Sequence, residues 1–230
     1  MTIKFQTNRY SGLKPAHIQH SIELALQKNR DYHIIGETTV DKIKGGSIVP
    51  IKAYIVKGAN QPDYRLIDNK NNELGFTTLH FYHPCKEKVY GVDYKYERFP
   101  GAVYIENMES LYDNYRGVGN VLHEVAVRIA QQEEYKGRVL LDAEKSSHIF
   151  HYKFGFRSMG EEHYLKDEAI ENEIEKAQRK SSTKEHDTSH LGPIPMYLPE
   201  ETIQEILNRE QITLYSTKAG TTRRSKKVIS

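Results

Sequence analysis

The 230 residues suffice for one substantial domain with extensions. Seven Phe and sixteen Tyr give a chain with 28% charged side chains enough aromatic area to exclude wholesale disorder, and a formal net charge of +2 gives no whole-molecule field toward nucleic acid or an anionic membrane. The single cysteine, Cys85, excludes an intramolecular disulfide framework, and with neither a signal-like apolar core nor an apolar run approaching ~20 residues the expectation is a cytoplasmic protein without a membrane partner, a non-classical secretion signal being left open.

Pro15 to about Asn29 reads as a helix: Pro15 suits a first turn, and Ile18, Ile22, Ala25 and Leu26 share a face. Strand patterns follow at Ile48–Val56, Tyr64–Ile67, Leu74–Tyr82 and Lys88–Tyr96, with Asp68-Asn69-Lys70-Asn71-Asn72 as a hairpin turn because Asn and Asp tolerate positive φ. Val103–Leu111 is a further strand that runs into a glycine-containing turn. Val118, Leu122, Val125 and Ile129 then recur at spacings of an amphipathic helix, widened by Val121.

Gly137 closes that region, Arg138–Leu141 is a short apolar strand, and residues 146–154 form a helix ended by Gly155. Glu161 to His190 is highly charged and poor in large apolar residues after Ile174, which reads as a partly helical, solvated insert or a mobile linker. Ile194–Leu198 returns to a strand pattern, and Pro199–Leu207 is a helix opened by Pro and Glu. The expected organisation is a helical segment at 1–46 on the acceptor side, a domain at 47–215 with a charged insert near 167–190, and a disordered basic tail at 216–230. Short turns in the first half and a β-α-β-α order over 103–156 predict an α/β (mixed α+β) fold: a mostly antiparallel sheet with helices on both faces.

The most informative segment is Asn114-Tyr115-Arg116-Gly117-Val118-Gly119-Asn120-Val121-Leu122, between a strand and a helix. Two glycines let the backbone turn tightly and let a ligand approach the amides, and the free N–H groups at a helix start make an anion site. The segment lacks the Gly-Lys-Ser/Thr ending of a P-loop and the three glycines of a dinucleotide fingerprint. A second segment, Phe150-His151-Tyr152-Lys153-Phe154-Gly155-Phe156, ends a helix in glycine and buries an aromatic ring beyond it.

The first segment resembles the pyrophosphate loop, Gln/Arg-x-x-Gly-x-Gly/Ala, of the GCN5-related N-acetyltransferase family, with Asn114 at the Gln/Arg position and Gly117 and Gly119 at the glycines. The second resembles that family's Phe-Tyr-x-x-x-Gly-Phe segment. Counted back from Gly155, the family's tyrosine position holds His151, with Tyr152 one place later, and the usual upstream Asn falls at Glu144. The strong resemblance covers about a quarter of the chain, 103–156.

The resemblance implies acetyl-CoA as co-substrate and direct attack of an amine, on a small molecule or a protein, on the thioester carbonyl. Main-chain N–H groups of Arg116, Gly117, Val118, Gly119 and Asn120, flanked by Asn114 and Tyr115, hold the phosphates, and Ser147 joins the cofactor contacts. An N–H near Leu111 polarises the carbonyl. His151 by position, or Tyr152 by chemistry, serves the leaving thiolate, a histidine being well matched to neutral pH. Glu106 or Glu109 relieves the ammonium of its proton, and their odd spacing puts them on opposite strand faces; Glu106 is preferred to Glu109, beside the commoner reading of either one as a solvated strand charge and the alternative of a water chain. Many relatives in that family pair, which keeps a homodimer open, although the residues themselves do not give the oligomeric state.

His80-Phe81-Tyr82-His83-Pro84-Cys85 holds metal-ligating residue types without the second pair that a structural zinc site needs, so no metal is expected. Arg223, Arg224, Lys226 and Lys227 lack interleaved aromatics, which favours a solvated terminus over nucleic acid. The displaced tyrosine and missing Asn keep a second reading open: a module that retains the fold and perhaps CoA without turnover.

Overall fold

The structure is a computed structural model, describing residues 32–58, 62–84, 100–144, 147–160, 163–179 and 188–215. The helix expected at 15–29, the strand at 88–96, Cys85 and the basic tail lie outside these residues.

Among the described residues ten strands make one sheet: β1 Tyr32–Lys44, β2 Ser47–Gly58, β3 Asp63–Asp68, β4 Glu73–Tyr82, β5 Ala102–Ser110, β6 Tyr115–Arg116, β7 Val139–Ala143, β8 Arg157–Ser158, β9 Ile194–Tyr197 and β10 Thr213–Leu214. The order is β10-β1-β2-β3-β4-β5-β7-β9-β8, with β6 on β1. β5 and β7 pair in parallel, and the remaining pairs are antiparallel. Four α-helices are described: α1 Val118–Gln132, α2 His148–Phe154, α3 His163–Arg179 and α4 Glu200–Asn208. The mixed α/β class and mostly antiparallel sheet are as the sequence predicts.

The hairpin at 68–72 forms for the expected reason. Asp68 Oδ1 accepts from the amides of Lys70 and Asn72 at 2.8 and 2.9 Å, and Asn71 takes a φ of 65°. α1 buries Val118, Val121, Leu122, Val125 and Ile129 against the sheet. Their burial is the main hydrophobic tie between helix and sheet, each large apolar side chain contributing ~1.5–3 kcal/mol.

One expectation changes. The segment 1–46 is not helical at its C-terminal end, because Tyr32–Lys44 is β1, the longest described strand, buried through Ile35 and Val40. Of the two readings of the charged insert, the partly helical one holds over its first part, where α3 is a 17-residue helix. Ile170 is fully buried in the core cluster and anchors it, while Glu173 pairs with Lys176 at 2.6 Å.

Candidate functional site

The glycine turn is held on a rail that the sequence did not reveal. β6 pairs antiparallel with β1, Arg116 opposite Asp41 and Tyr115 opposite Lys42, and the Ile43 amide donates to Asn114 O at 2.8 Å. Tyr115 is buried, its hydroxyl accepting from Lys42 Nζ at 2.8 Å and lying 3.5 Å from Asp68 Oδ2. Asn114 and Tyr115 therefore fix the turn to the sheet, and Tyr115 presents no ring to a ligand.

Gly117 is the N-cap of α1 with φ 80°, a conformation costly for any residue with a Cβ. A Cβ there would meet nothing within 4 Å, so conformation alone explains this glycine. Gly119 differs, since its Cβ would fall 2.5 Å from Phe150 Cζ. Its smallness admits a protein ring from α2, whereas the sequence suggested room for a ligand.

The first intrahelical bond is Val121 N to Gly117 O at 2.9 Å, and the cap supplies no side-chain acceptor. The N–H groups of Val118, Gly119 and Asn120 thus have no intrahelical acceptor, and the positive end of a 15-residue helix lies with them. They border a cleft of about 500 Å³ lined by Gly117, Gly119, Asn120, Phe150, Lys153, Phe154 and Arg209. Two cations beside open amides make this an anion site with an aromatic wall. Lys153 and Arg209 were not singled out in sequence. Arg209 follows α4, far along the chain from the glycine turn, and only tertiary structure brings it here.

Beyond the cleft, β5 and β7 pair only from Val103/Val139 to Ile105/Leu141, while β5 runs on to Ser110. A bulge interrupts β4–β5 between Thr78/Asn107 and Leu79/Ile105. This bulge corrects the face assignment of the two glutamates. Glu106 Oε2 lies 2.6 Å from His80 Nε2, and Glu109 is opposite Phe76, which shares a strand face with His80. Both exposed carboxylates therefore share one face of the sheet.

Leu111 is also corrected. Its N–H donates to Leu74 O at 2.9 Å, so it is spent within the sheet. Antiparallel alternation turns the neighbouring Ser110 N–H to the opposite edge, toward the side where β7 has diverged. Ser147 closes the turn before α2, donating to Glu144 O at 2.7 Å and accepting from Glu144 N at 3.1 Å.

Residues 151 and 152 face different neighbours, as a 100° step on a helix requires. Tyr152 donates to Glu171 on α3 and lies under the Arg157 guanidinium, 4.4 Å from its ring centroid. Burial and the Glu171 bond push its phenol up to about 12. His151 turns to α1, with Nδ1 3.0 Å from Nε2 of the fully buried His123. Burial first, then the neighbouring His148, pull His151 down to about 4, so it is a neutral, enclosed imidazole rather than a titrating surface group. Sequence reasoning missed His123, whose only signal is a polar ring on the apolar face of α1.

His80 is engaged by Glu106, and the Tyr135 hydroxyl lies 2.8 Å from His83 Nδ1. No helix among the described residues is long and apolar enough to cross a membrane.

No family model matches the chain, and no curated protein matches it in sequence. Among solved structures, one named only as a bacterial toxin is similar at 18% identity over 67% of this chain and 72% of its own, with a TM-score of 0.39. Another, a Bacillus anthracis protein named as a streptothricin acetyltransferase in complex with acetyl coenzyme A, is similar at 17% identity, covering 73% and 87%, with a TM-score of 0.29. At these scores neither likeness bears on the chemistry of this chain.

Proposed function

We propose that the chain is an acyltransferase that moves the acetyl group of acetyl-CoA to a primary amine of a small molecule or protein by direct attack. The observation that carries this reading is the junction of a left-handed Gly117 cap, open α1 amides and the Lys153/Arg209 pair around one cleft. A diphosphate fits that donor set. β5 runs on to Ser110 past its last pair with β7, and this reading assigns its main-chain edge groups, Ser110 N–H among them, to a pantetheine arm and a thioester carbonyl. One such donor contributes ~3 kcal/mol to stabilising a tetrahedral oxyanion. Glu106, exposed and hydrogen-bonded to His80, is the base of this reading, and His151 serves the thiolate.

Titration calorimetry with CoA and acetyl-CoA tests the first half, and thiol release with a panel of primary amines and lysine peptides tests the second. A folded chain giving no heat with either CoA or acetyl-CoA ends the proposal. The burial of His151 and the engagement of Tyr152 by Glu171 favour one alternative, a CoA-binding module without turnover. Cofactor heat without acceptor-dependent thiol release selects it.

A further inference from the structure

His123 is 0% exposed, and its ring sits among Phe150, Phe154 and Phe156 with centroids 5.0, 4.3 and 5.1 Å away. Its Nε2 is 3.0 Å from His151 Nδ1, while its Nδ1 has no hydrogen-bond partner. A neutral imidazole carries one donor and one acceptor nitrogen, and the hydrogen-bond network assigns which is which. If His151 Nδ1 carried the shared proton, His123 would have to hold its own on Nδ1, leaving a buried N–H donor unpaired. If His123 Nε2 carries it, the orphan is a bare lone pair, the less costly defect. His148 offers no competing partner, since its Nδ1 lies 2.8 Å from the Thr188 hydroxyl and its Nε2 2.8 Å from Gly192 O.

We infer that His123 is a positioning residue that donates from Nε2 to His151 Nδ1 and thereby fixes His151 as an Nε2–H donor. Its role in catalysis rests on the acetyl-transfer reading above. Burial lowers both rings below the usual histidine range, so the pair is neutral at pH 7 and His151 has no spare proton to give. In the transfer, the amine nitrogen bonds to the acetyl carbon, the C–S bond breaks and sulfur leaves with the electron pair. The proton lost by nitrogen passes to Glu106, the base of that reading, and sulfur takes its proton from solvent. The His151 Nε2–H hydrogen-bonds the departing thiolate and keeps its own proton.

Long-range ¹H–¹⁵N correlation spectra of the whole labelled chain at pH 7 read the tautomers directly, with Nε2–H expected at both His123 and His151. His123→Gln retains an amide N–H near the Nε2 position, whereas His123→Phe keeps the ring and removes the donor. Thiol release should stay within about threefold of wild type in the Gln variant. In the Phe variant kcat should fall by about tenfold to a hundredfold, as for other groups that orient a functional histidine, with the KM for acetyl-CoA unchanged. A His151 Nδ1–H tautomer in the wild-type chain overturns the inference, as does full kcat in a folded Phe variant. The expected tautomers together with no acceptor-dependent thiol release overturn the acetyl-transfer reading instead.

Discussion

Gly119 of α1 and Phe150 of α2 approach so closely that a Cβ on the glycine would lie 2.5 Å from Phe150 Cζ. The same ring stacks on His123, one helical turn further along α1, at a centroid distance of 5.0 Å and 19° between planes. Phe150 is thereby wedged between the N-terminal end of α1 and the buried histidine. Gly119→Ala forces the ring off one of these contacts, with an expected loss of about 1–3 kcal/mol, the usual cost of overpacking. Adding Phe150→Leu should return most of it. Urea unfolding of the two singles and the double reads the coupling, and additive losses would show that the two residues do not collide.

Gly117 should respond differently, although only two residues away. Its Cβ direction is open, but its φ of 80° disfavours any side chain. Gly117→Ala is expected to cost about 1 kcal/mol, and Gly117→Asn less, because asparagine enters the left-handed region more readily. Equal losses for Ala and Asn in thermal melts would point to a steric cause that the geometry does not contain.

The contrast between these glycines shows what was legible in the sequence. The turn at 68–72 and the apolar face of α1 follow from local chemistry, and both form as read. β1 escaped because its pairing with β2 shifts register between Ile34 and Gly36, near its start, and Ile35, Gly36, Glu37 and Thr38 are buried in a row, so the alternation is broken there. Facing of Glu106 and Glu109 was misread because a bulge is set by the partner strand, not by the spacing of the residues themselves. The site's cations, Lys153 and Arg209, and the His123–His151 contact depend on how α1, α2 and α4 dock, which no local pattern encodes. α3 hid its buried apolar anchor, Ile170, among charges.

Arg128 connects the core to that site. It forms a two-point bond with Glu124, at 2.7 and 2.9 Å, and its Nη2 also donates to the main-chain carbonyls of Ile206, at 3.2 Å, and Arg209. Glu124 is 2% exposed, and burial pushes its carboxyl up against the pull of Arg128. Arg128→Met strands that carboxylate and releases the end of α4, with an expected loss of about 3–5 kcal/mol. Adding Glu124→Leu should recover much of the stability but not CoA affinity, since Arg209 stays untethered. Calorimetry showing wild-type affinity in the double variant would separate the α4 terminus from the cleft.

Lys153 and Arg209 are themselves exposed, so each is screened and should contribute about 1 kcal/mol to CoA binding, or about fivefold in Kd. The Lys153→Ala/Arg209→Ala pair should weaken binding at low salt and flatten its dependence on ionic strength, because fewer ion contacts remain to be screened. Stability should be nearly unchanged, as neither side chain is buried. Unaltered salt dependence in the double variant would place the phosphates elsewhere.

The buried histidines also set how the fold answers acid. His151 has an ordinary value of 6.5 when unfolded and is held at about 4 in the folded chain, so between these limits the unfolded state binds a proton that the native state refuses. Stability is therefore full above pH 6.5, declines as pH falls, and has lost this contribution, about 3 kcal/mol, once pH passes below 4. His123, lowered in the same direction by burial and by His151, steepens the decline. Urea midpoints taken from pH 7.5 down to 4.5 should fall steadily below 6.5, a window chosen to stay above most carboxylate titration. His151→Phe keeps an aromatic ring in the pocket but cannot take the proton, so its slope should be visibly shallower. Identical slopes for the two proteins would mean that His151 is open to protonation in the folded state, in conflict with its burial between His123 and Phe156.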